Sequence, residues 1–408
     1  MYDLIVIGGG AAGFFTAIQL AERKPGSRIV ILEKSNKVLA KVRVSGGGRC
    51  NVTHACFDPQ EMAEHYPRGS KELLGPFHRF LCGDMMAWLS EHGVETKIED
   101  DGRVFPLSDD SQSIIDCFMN LCKEQRIEIR MHQWIESMAF KDGTWHIRSQ
   151  TEVFIAKNIM LATGSTPSVW LMLQEMGYEI VEPVPSLFTF NIKHPFLEEM
   201  QGLSMPDAEV LIEDTHFSAT GPLLITHWGI SGPAVLKLSA WAARELHEHA
   251  YKFHIRVNWL GMDAALVREQ IEVQRREHGN RMVKNYPMFS VPRRLWERFC
   301  YQAILREDNF ASLTARQMES LIELLCHNQM KVEGKSTFKE EFVTCGGVER
   351  KQIDFKTMQS KMHLGLYMAG EVLDIDAITG GFNFQAAWTE GFIAAEDIFE
   401  SLNTGRDN

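Results

Sequence analysis

Nothing in this 408-residue chain approaches the ~20 consecutive apolar residues that a membrane-spanning helix needs. The apolar run nearest the start, Leu4 to Ile7, has the length of a buried strand and is too short for the core of a signal peptide. No C-x-x-C pair occurs among the eight cysteines, Cys50, Cys56, Cys82, Cys117, Cys122, Cys300, Cys326 and Cys345, so structural zinc has no support and the thiols read as reduced. His247, His249 and His254 lie close together, but no cysteine or further histidine joins them, and no metal is expected. A basic tract is missing too. With 42 Lys and Arg against 54 Asp and Glu, the net charge of −12 argues against unspecific nucleic-acid binding. These absences point to a cytoplasmic protein that acts on a small-molecule substrate, with neither membrane nor nucleic acid as partner. What is present is an ordinary globular composition, 45% apolar and 24% charged, in a chain long enough for two or three domains.

The stretch Asp3 to Glu33 reads DLIVIGGGAAGFFTAIQLAERKPGSRIVILE. An apolar run, three glycines, a helix-like segment Ala11 to Arg23, a second apolar run Ile29 to Leu32 and an acid make a βαβ unit. Gly8, Gly10 and Gly13, with Ala11 and Ala12 between them, form G-x-G-x-x-G directly after a strand and at the start of a helix; Glu33 follows Gly13 by 20 residues. Gly8 allows the tight turn, Gly10 lets a pyrophosphate approach bare backbone, and Gly13 lets helix and strand pack closely. The helix N-terminus then faces the phosphates. Glu33 can accept hydrogen bonds from both hydroxyls of an adenosine ribose and would repel a 2′-phosphate. The dinucleotide is therefore FAD or NAD rather than NADP, with Lys34 beside the same wall.

After Glu33 the chain turns basic, then glycine-rich, then polar. Lys41, Arg43 and Arg49 supply cations where a pyrophosphate would sit, and Gly46, Gly47 and Gly48 permit close backbone approach. Ser45, Cys50 and Asn51 complete this second wall. The segments GGGAAGFFTAIQLAE and KVRVSGGGRCNVT, the latter from Lys41 to Thr53, resemble the YhiN/BaiN-type flavoproteins, a fumarate-reductase-type branch of the glutathione-reductase-like FAD superfamily. That resemblance implies FAD bound in an extended form and an inserted substrate-side domain. The disulfide flavoenzymes of the wider superfamily carry C-x4-C near this place. Here five residues separate Cys50 from Cys56 where the motif has four, which fails the spacing, so Cys50→Ser is expected to leave flavin reduction intact. Cys117 and Cys122 have the spacing but lie among Ile114, Ile115, Phe118 and Leu121, a packed helix face.

Further along, Leu73, Phe77, Phe80, Leu81, Met85, Trp88 and Leu89 recur at helical spacing between Ser70 and Gly93, and residues 94 to 107 read as a hairpin with Asp101-Gly102 at its tip. Ile127 to Met131 is a short strand, followed by a meander of Gln133 to Phe140 and Thr144 to Ser149. By resemblance, the backbone of Trp134 or Ile135 contacts adenine. Phe154 to Ala162 returns to the sheet, and Ala162, Thr163 and Gly164 resemble the superfamily's second flavin contact. VEPVPS, residues 181 to 186, reads as a crossing into an insertion of strands and then helices, the helices over Asp263 to Glu277 and Leu313 to Gln329. Within it, T-H-x-G-I-S-G-P, carrying His227, Gly229, Ser231, Gly232 and Pro233, matches the family's pattern and is expected near the flavin or the domain joint. Lys331 to Cys345 reads as the returning strand, and VTCGGV, residues 343 to 348, faces the flavin ring by resemblance. Near the end, Gly370-Glu371 resembles the superfamily element whose carboxylate holds a ribityl hydroxyl. Gly380, Gly381, Asn383 and Gln385 belong to a turn that opens a helix from Phe384 to Glu400, whose N-terminal amides favour negative charge at the flavin N1/C2=O edge.

The expected fold is α/β, a Rossmann-like FAD-binding domain (1–187 and 343–408) with an inserted β-barrel-like domain (188–260, returning at 329–342) and a small helical subdomain (261–328). Only one G-x-G-x-x-G exists, so NADH or NADPH, if it is the donor, binds transiently. The resemblance implies an FAD-dependent oxidoreductase passing hydride through flavin N5, reducing or oxidising a small organic substrate. A redox-sensing or binding flavoprotein without turnover is the alternative. A folate-dependent tRNA-modifying flavoprotein is set aside by the acidic balance.

Overall fold

Leu4, Ile5 and Val6 have no accessible surface, and all four residues of Ile29–Leu32 are buried. Such continuous branched apolar runs suit strands covered on both faces. They form the centre of a mostly parallel sheet: Tyr2–Ile7 pairs in parallel with Ile29–Leu32 on one side and Val153–Leu161 on the other. Leu366–Met368 extends the sheet beyond Val153–Leu161, and Glu128–Arg130 extends it beyond Ile29–Leu32, again in parallel. The antiparallel pair Ile135–Lys141 and Thr144–Ser149 attaches to the first half of Val153–Leu161. The computed structural model describes residues 1–305, 307–336 and 343–404. These fall into two units, residues 1–184 with 343–404, and residues 185–336.

In the first unit the helix Ala11–Arg23 packs on the long helix Phe382–Thr404. Gly391 makes the close crossing possible, since a Cβ there would stand 3.0 Å from Thr16 Oγ1. Phe15 fills the space beside them, with ring centres 5.0 Å from Trp88, 5.4 Å from Phe80 and 5.5 Å from Trp388. Burying such a ring contributes about 1.5–3 kcal/mol. The helical periodicity from Ser70 to Gly93 resolves into two helices, Ser70–Phe77 and Cys82–Glu91. Pro76 lies inside the last turn of the first, and Asp84 caps the second by accepting the Leu81 N–H at 2.7 Å. Residues 181 to 186 are not a bare crossing: the strand Ile180–Ser186 forms a two-stranded ribbon with Val343–Val348. Ile180–Ser186 pairs with that one strand alone, and a strand with a single partner accommodates prolines that a central strand would not.

The second unit is built on an antiparallel sheet in the order Asn328–Val332, Phe253–Asn258, Ser204–Ile212, Ser218–Ile225, Gly229–Ser231, Thr189–Asn191, Gly334–Ser336. The first and last strands are separated by Glu333 alone, so the sheet curves back on itself like a barrel. Helices Ala264–Glu277, Arg293–Gln302 and Ala315–Cys326 share one core with that sheet, where the Phe196 ring lies 4.9 Å from Phe299 and 5.5 Å from Trp259. The helix expected to reach Gln329 stops at Cys326 because Asn328 starts a strand paired to Phe253–Asn258. Part of the expected return strand, 337–342, lies outside the described residues.

Candidate cofactor site

The glycine turn divides into structural positions and an open one. Gly8 has φ +110°, and a Cβ there would stand 2.3 Å from the Ala162 carbonyl oxygen; at Gly13 it would stand 2.2 Å from the Gly8 oxygen. A Cβ on Gly10 would meet nothing within 4 Å. Gly10 therefore faces space that a ligand can use, while its neighbours hold strand, helix and Ala162 together. Ala11 and Ala12 begin the helix with their N–H groups at the positive end of its dipole. Glu33 leans back over this turn: Oε2 accepts the Gly9 N–H at 2.8 Å, and Oε1 accepts the Ser35 N–H at 2.8 Å. A carboxylate has lone pairs to spare after these two bonds.

Beside Glu33 opens a small cleft of about 50 Å³, open to solvent, whose walls include Gly8, Glu33, Lys34, Gln133, Trp134, Ile135, Thr163 and Thr166. Lys34 donates to Thr166 Oγ1 at 3.1 Å and lies 5.8 Å from the centre of the exposed Trp134 ring. Trp134 and Ile135 both line it. Gly164, at φ +59°, takes the chain past Ala162 and Thr163 into the helix Pro167–Glu175. The Gln133 side-chain oxygen is buried without a hydrogen-bond partner. Sequence reasoning passed over Gln133, although its place one residue before Trp134 was the available signal.

The second wall joins parts of the chain more than 300 residues apart. Thr53 donates to Gln385 Oε1 at 2.6 Å, Trp388 Nε1 donates to the Val52 carbonyl at 2.9 Å, and His54 Nδ1 lies 3.1 Å from the Gly380 oxygen. Gly381, at φ +95°, presses on Thr53, where a Cβ would be 2.6 Å from backbone atoms. The helix starts at Phe382, two residues earlier than its sequence pattern suggests, directly after the glycine pair. Gly47 and Gly48 follow Ser45 in left-handed conformations with nothing within 4 Å of a notional Cβ.

Several expected ligand contacts are redirected. Arg49 is taken up by Glu99 at 2.6 Å and Asp109 at 3.3 Å and lies over the Phe105 ring, and Arg43 donates to Gln112 at 2.8 Å. Neither is spare for a pyrophosphate in this arrangement. Cys50 and Gln385 have no accessible surface, so neither offers a ligand anything to touch. Burial pushes the Cys50 thiol up to about 12, the opposite of a reactive thiolate. Asn383 uses its amide on both backbone groups of Ala377, at 3.0 and 3.1 Å, and so pins the loop before the helix. Glu371, beside Gly370 at φ +75°, is held by Lys41 Nζ at 2.6 Å.

Open space at Gly10, Gly47 and Gly48, together with buried unpaired acceptors on Gln133 and Asn51, fits a flavin dinucleotide, whose adenine amino group and ring N–H are donors. A parallel sheet with a glycine turn and acid at its first crossover, and a helix N-terminus behind a second glycine pair, defines an FAD-binding Rossmann-type flavoprotein. More narrowly, the chain belongs to the HI0933-like family of FAD-dependent oxidoreductases, since residues 2–397 match the family model described as HI0933-like protein Rossmann domain. Among its relatives is the ribosomal RNA dihydrouridine synthase of Escherichia coli strain K12, 30% identical over 99% of both chains. The 3-dehydro-bile acid delta(4,6)-reductase of Clostridium scindens is 28% identical over 97% of this chain and 98% of its own. Among solved structures, an E. coli quinol fumarate reductase aligns over all of this chain and 71% of its own at 13% identity and TM-score 0.51, a likeness of fold. Among the described residues no helix is long and apolar enough to cross a membrane.

Proposed function

We propose that this protein uses FAD, reduced by NADH or NADPH, to saturate a carbon–carbon double bond conjugated to a carbonyl. The observation that carries this reading is a pair of whole-chain relatives whose named reactions share that one bond change on unlike molecules, the uracil ring of ribosomal RNA and a bile-acid enone. FAD held in the cradle would supply hydride transfer between donor and substrate. The chain's own part is to bind and orient: Glu33 and the wall around Gln133 for the adenosine end, bare backbone at Gly10 for the pyrophosphate, and Glu371 with the start of Phe382–Thr404 for the ribityl and ring end. A single dinucleotide turn favours a nicotinamide donor that visits and leaves.

Of the two acceptors, uridine in ribosomal RNA is favoured by the 30% identity over 99% of both chains, and a second relative of that name, from Haemophilus influenzae, is 28% identical over 97% of this chain. The net charge of −12 favours a small enone instead. Anaerobic titration of the purified protein with NADH and with NADPH, followed in the visible spectrum, tests the donor. Rapid bleaching by either supports the reductase reading; flavin that neither bleaches overturns it. Mass spectrometry of ribosomal RNA from cells lacking the gene then separates the acceptors, because loss of a dihydrouridine identifies the RNA substrate and unchanged RNA identifies the small enone.

A further inference from the structure

Glu390 lies on the long helix Phe382–Thr404 with no accessible surface. Its Oε2 accepts the Gly370 N–H at 2.5 Å, while Oε1 has no hydrogen-bond partner. Burial pushes this carboxyl up to about 8, against the opposing pull of the Gly370 bond. Three parts of the cradle meet at it. Gly370, which it holds, sits 3.8 Å from the Ala12 side chain as measured from a notional Cβ; Gly391, its neighbour, lies against Thr16 and the Ala12 carbonyl. The groups facing it are few. The helix Ala11–Arg23 contributes Ala12 and Thr16, neither of which titrates. Tyr66, itself fully buried, is raised first by burial and then by the charge of Glu390, and Glu371, one residue beyond Gly370, is taken by Lys41.

A glutamine would accept the Gly370 N–H equally well and would not carry an ionisable group into a dry site, so stability alone does not account for an acid here. The property a glutamine lacks is the proton. A carboxylate at this place would need more donors than one N–H. It could find them only if water entered or the side chain swung out, and either change would displace Gly370.

We propose that Glu390 is a positioning residue of the cofactor cradle, holding the Gly370–Glu371 turn in register for FAD while protonated and loosening that turn when it ionises. The inference rests on FAD occupying the cradle and adds a proton to its binding equilibrium. FAD then binds the protonated form, and binding at alkaline pH takes up one proton.

The experiment is titration of the flavin-free protein with FAD, followed by flavin fluorescence, from about pH 6 to about pH 10, on wild type and Glu390→Gln. Wild-type Kd is expected to stay level and then rise about tenfold per pH unit above about 8, whereas Glu390→Gln stays level throughout. A level wild-type profile, or the same rise in Glu390→Gln, overturns the role of Glu390. Calorimetry of FAD binding to wild type in two alkaline buffers of different ionisation enthalpy reads proton uptake directly, so the proposal stays testable if the variant does not fold; zero uptake overturns it. Wild type that binds no FAD at any pH would instead overturn the cofactor reading itself.

Discussion

Glu33 accepts the N–H of Gly9, 24 positions earlier, at 2.8 Å, and so ties the end of the second strand to the glycine turn. Its second oxygen serves Ser35. Glu33→Ala therefore removes two backbone partners as well as the acceptor expected to hold the adenosine ribose. At about 1.5–3 kcal/mol for charge-assisted bonds, FAD affinity is expected to fall about 10- to 150-fold. The flavin-free protein should also melt lower, because two N–H groups lose their acceptor. Kd from flavin fluorescence and a melt without FAD check the two parts; an unchanged Kd sinks the ribose assignment.

Cys50 invites the idea of a thiol that passes electrons to flavin, and its surroundings oppose it. Its thiol is raised to about 12 by burial, and it has no accessible surface for a disulfide partner to reach. Cys50→Ser is expected to retain flavin and to be reduced at the wild-type rate, in stopped flow, by whichever donor reduces the wild type. A variant that keeps its flavin but is no longer reduced would restore the redox reading.

Legibility in the sequence follows how local each feature is. The helix Ala11–Arg23 and the strand Ile29–Leu32 appear at the boundaries their pattern suggests, because periodicity, glycine turn and acid lie within 31 residues and agree with one another. The partnership of residues 51–54 with 380–388 was not legible, since nothing in either segment specifies the other; the resemblance placed each at the flavin separately. Side-chain commitments were the least legible. Arg49 and Arg43 read as phosphate cations until Glu99, Asp109 and Gln112 arrive beside them from the hairpin and the helix Gln112–Glu124. Glu390 left a trace, an acid within the largely apolar run FNFQAAWTEGFIAA, but a helical pattern does not tell a solvated acid from a buried one.

The Glu390 carboxyl also makes stability depend on pH. Its value moves from an ordinary 4.5 up to about 8 in the folded protein. Below about 4.5 both states are protonated and the group costs nothing. As pH rises from 4.5 to about 8 the unfolded chain releases its proton while the folded chain keeps it, so stability falls; above 8 the loss is constant. At pH 7 the penalty is about 3 kcal/mol. Glu390→Gln should therefore be more stable than wild type at neutral pH, by an amount that shrinks toward pH 4.5. Urea unfolding of both proteins without FAD at several pH values checks it, and a pH-independent difference would remove the titration from the account.

Asp376, with no accessible surface, meets Arg68 in a two-pronged pair in which Arg68 Nε donates to Oδ1 at 2.5 Å and a second N–H donates to Oδ2. Truncating the acid leaves the guanidinium largely buried without its main counter-charge. Asp376→Ala is expected to cost about 3–5 kcal/mol in urea unfolding. Replacing both members by apolar residues should cost much less than the sum of the single changes, as a double-mutant cycle would measure. Additive costs would mean that the two groups are not stabilised by each other.

The glycine turn offers the sharpest separation of folding from binding. At Gly13 a methyl would stand 2.2 Å from the Gly8 oxygen and 2.9 Å from Val6, so Gly13→Ala must push helix from strand and should lower both the melting temperature and FAD affinity. At Gly10 a methyl meets no protein atom within 4 Å, and the backbone there, at φ −96°, suits an alanine. Gly10→Ala is therefore expected to leave the flavin-free melt within about 0.5 kcal/mol of wild type. Its methyl would stand where the pyrophosphate must approach, so FAD affinity should fall sharply. Equal affinity in Gly10→Ala and wild type would mean that the dinucleotide does not cross this turn, whatever the fold it sits on.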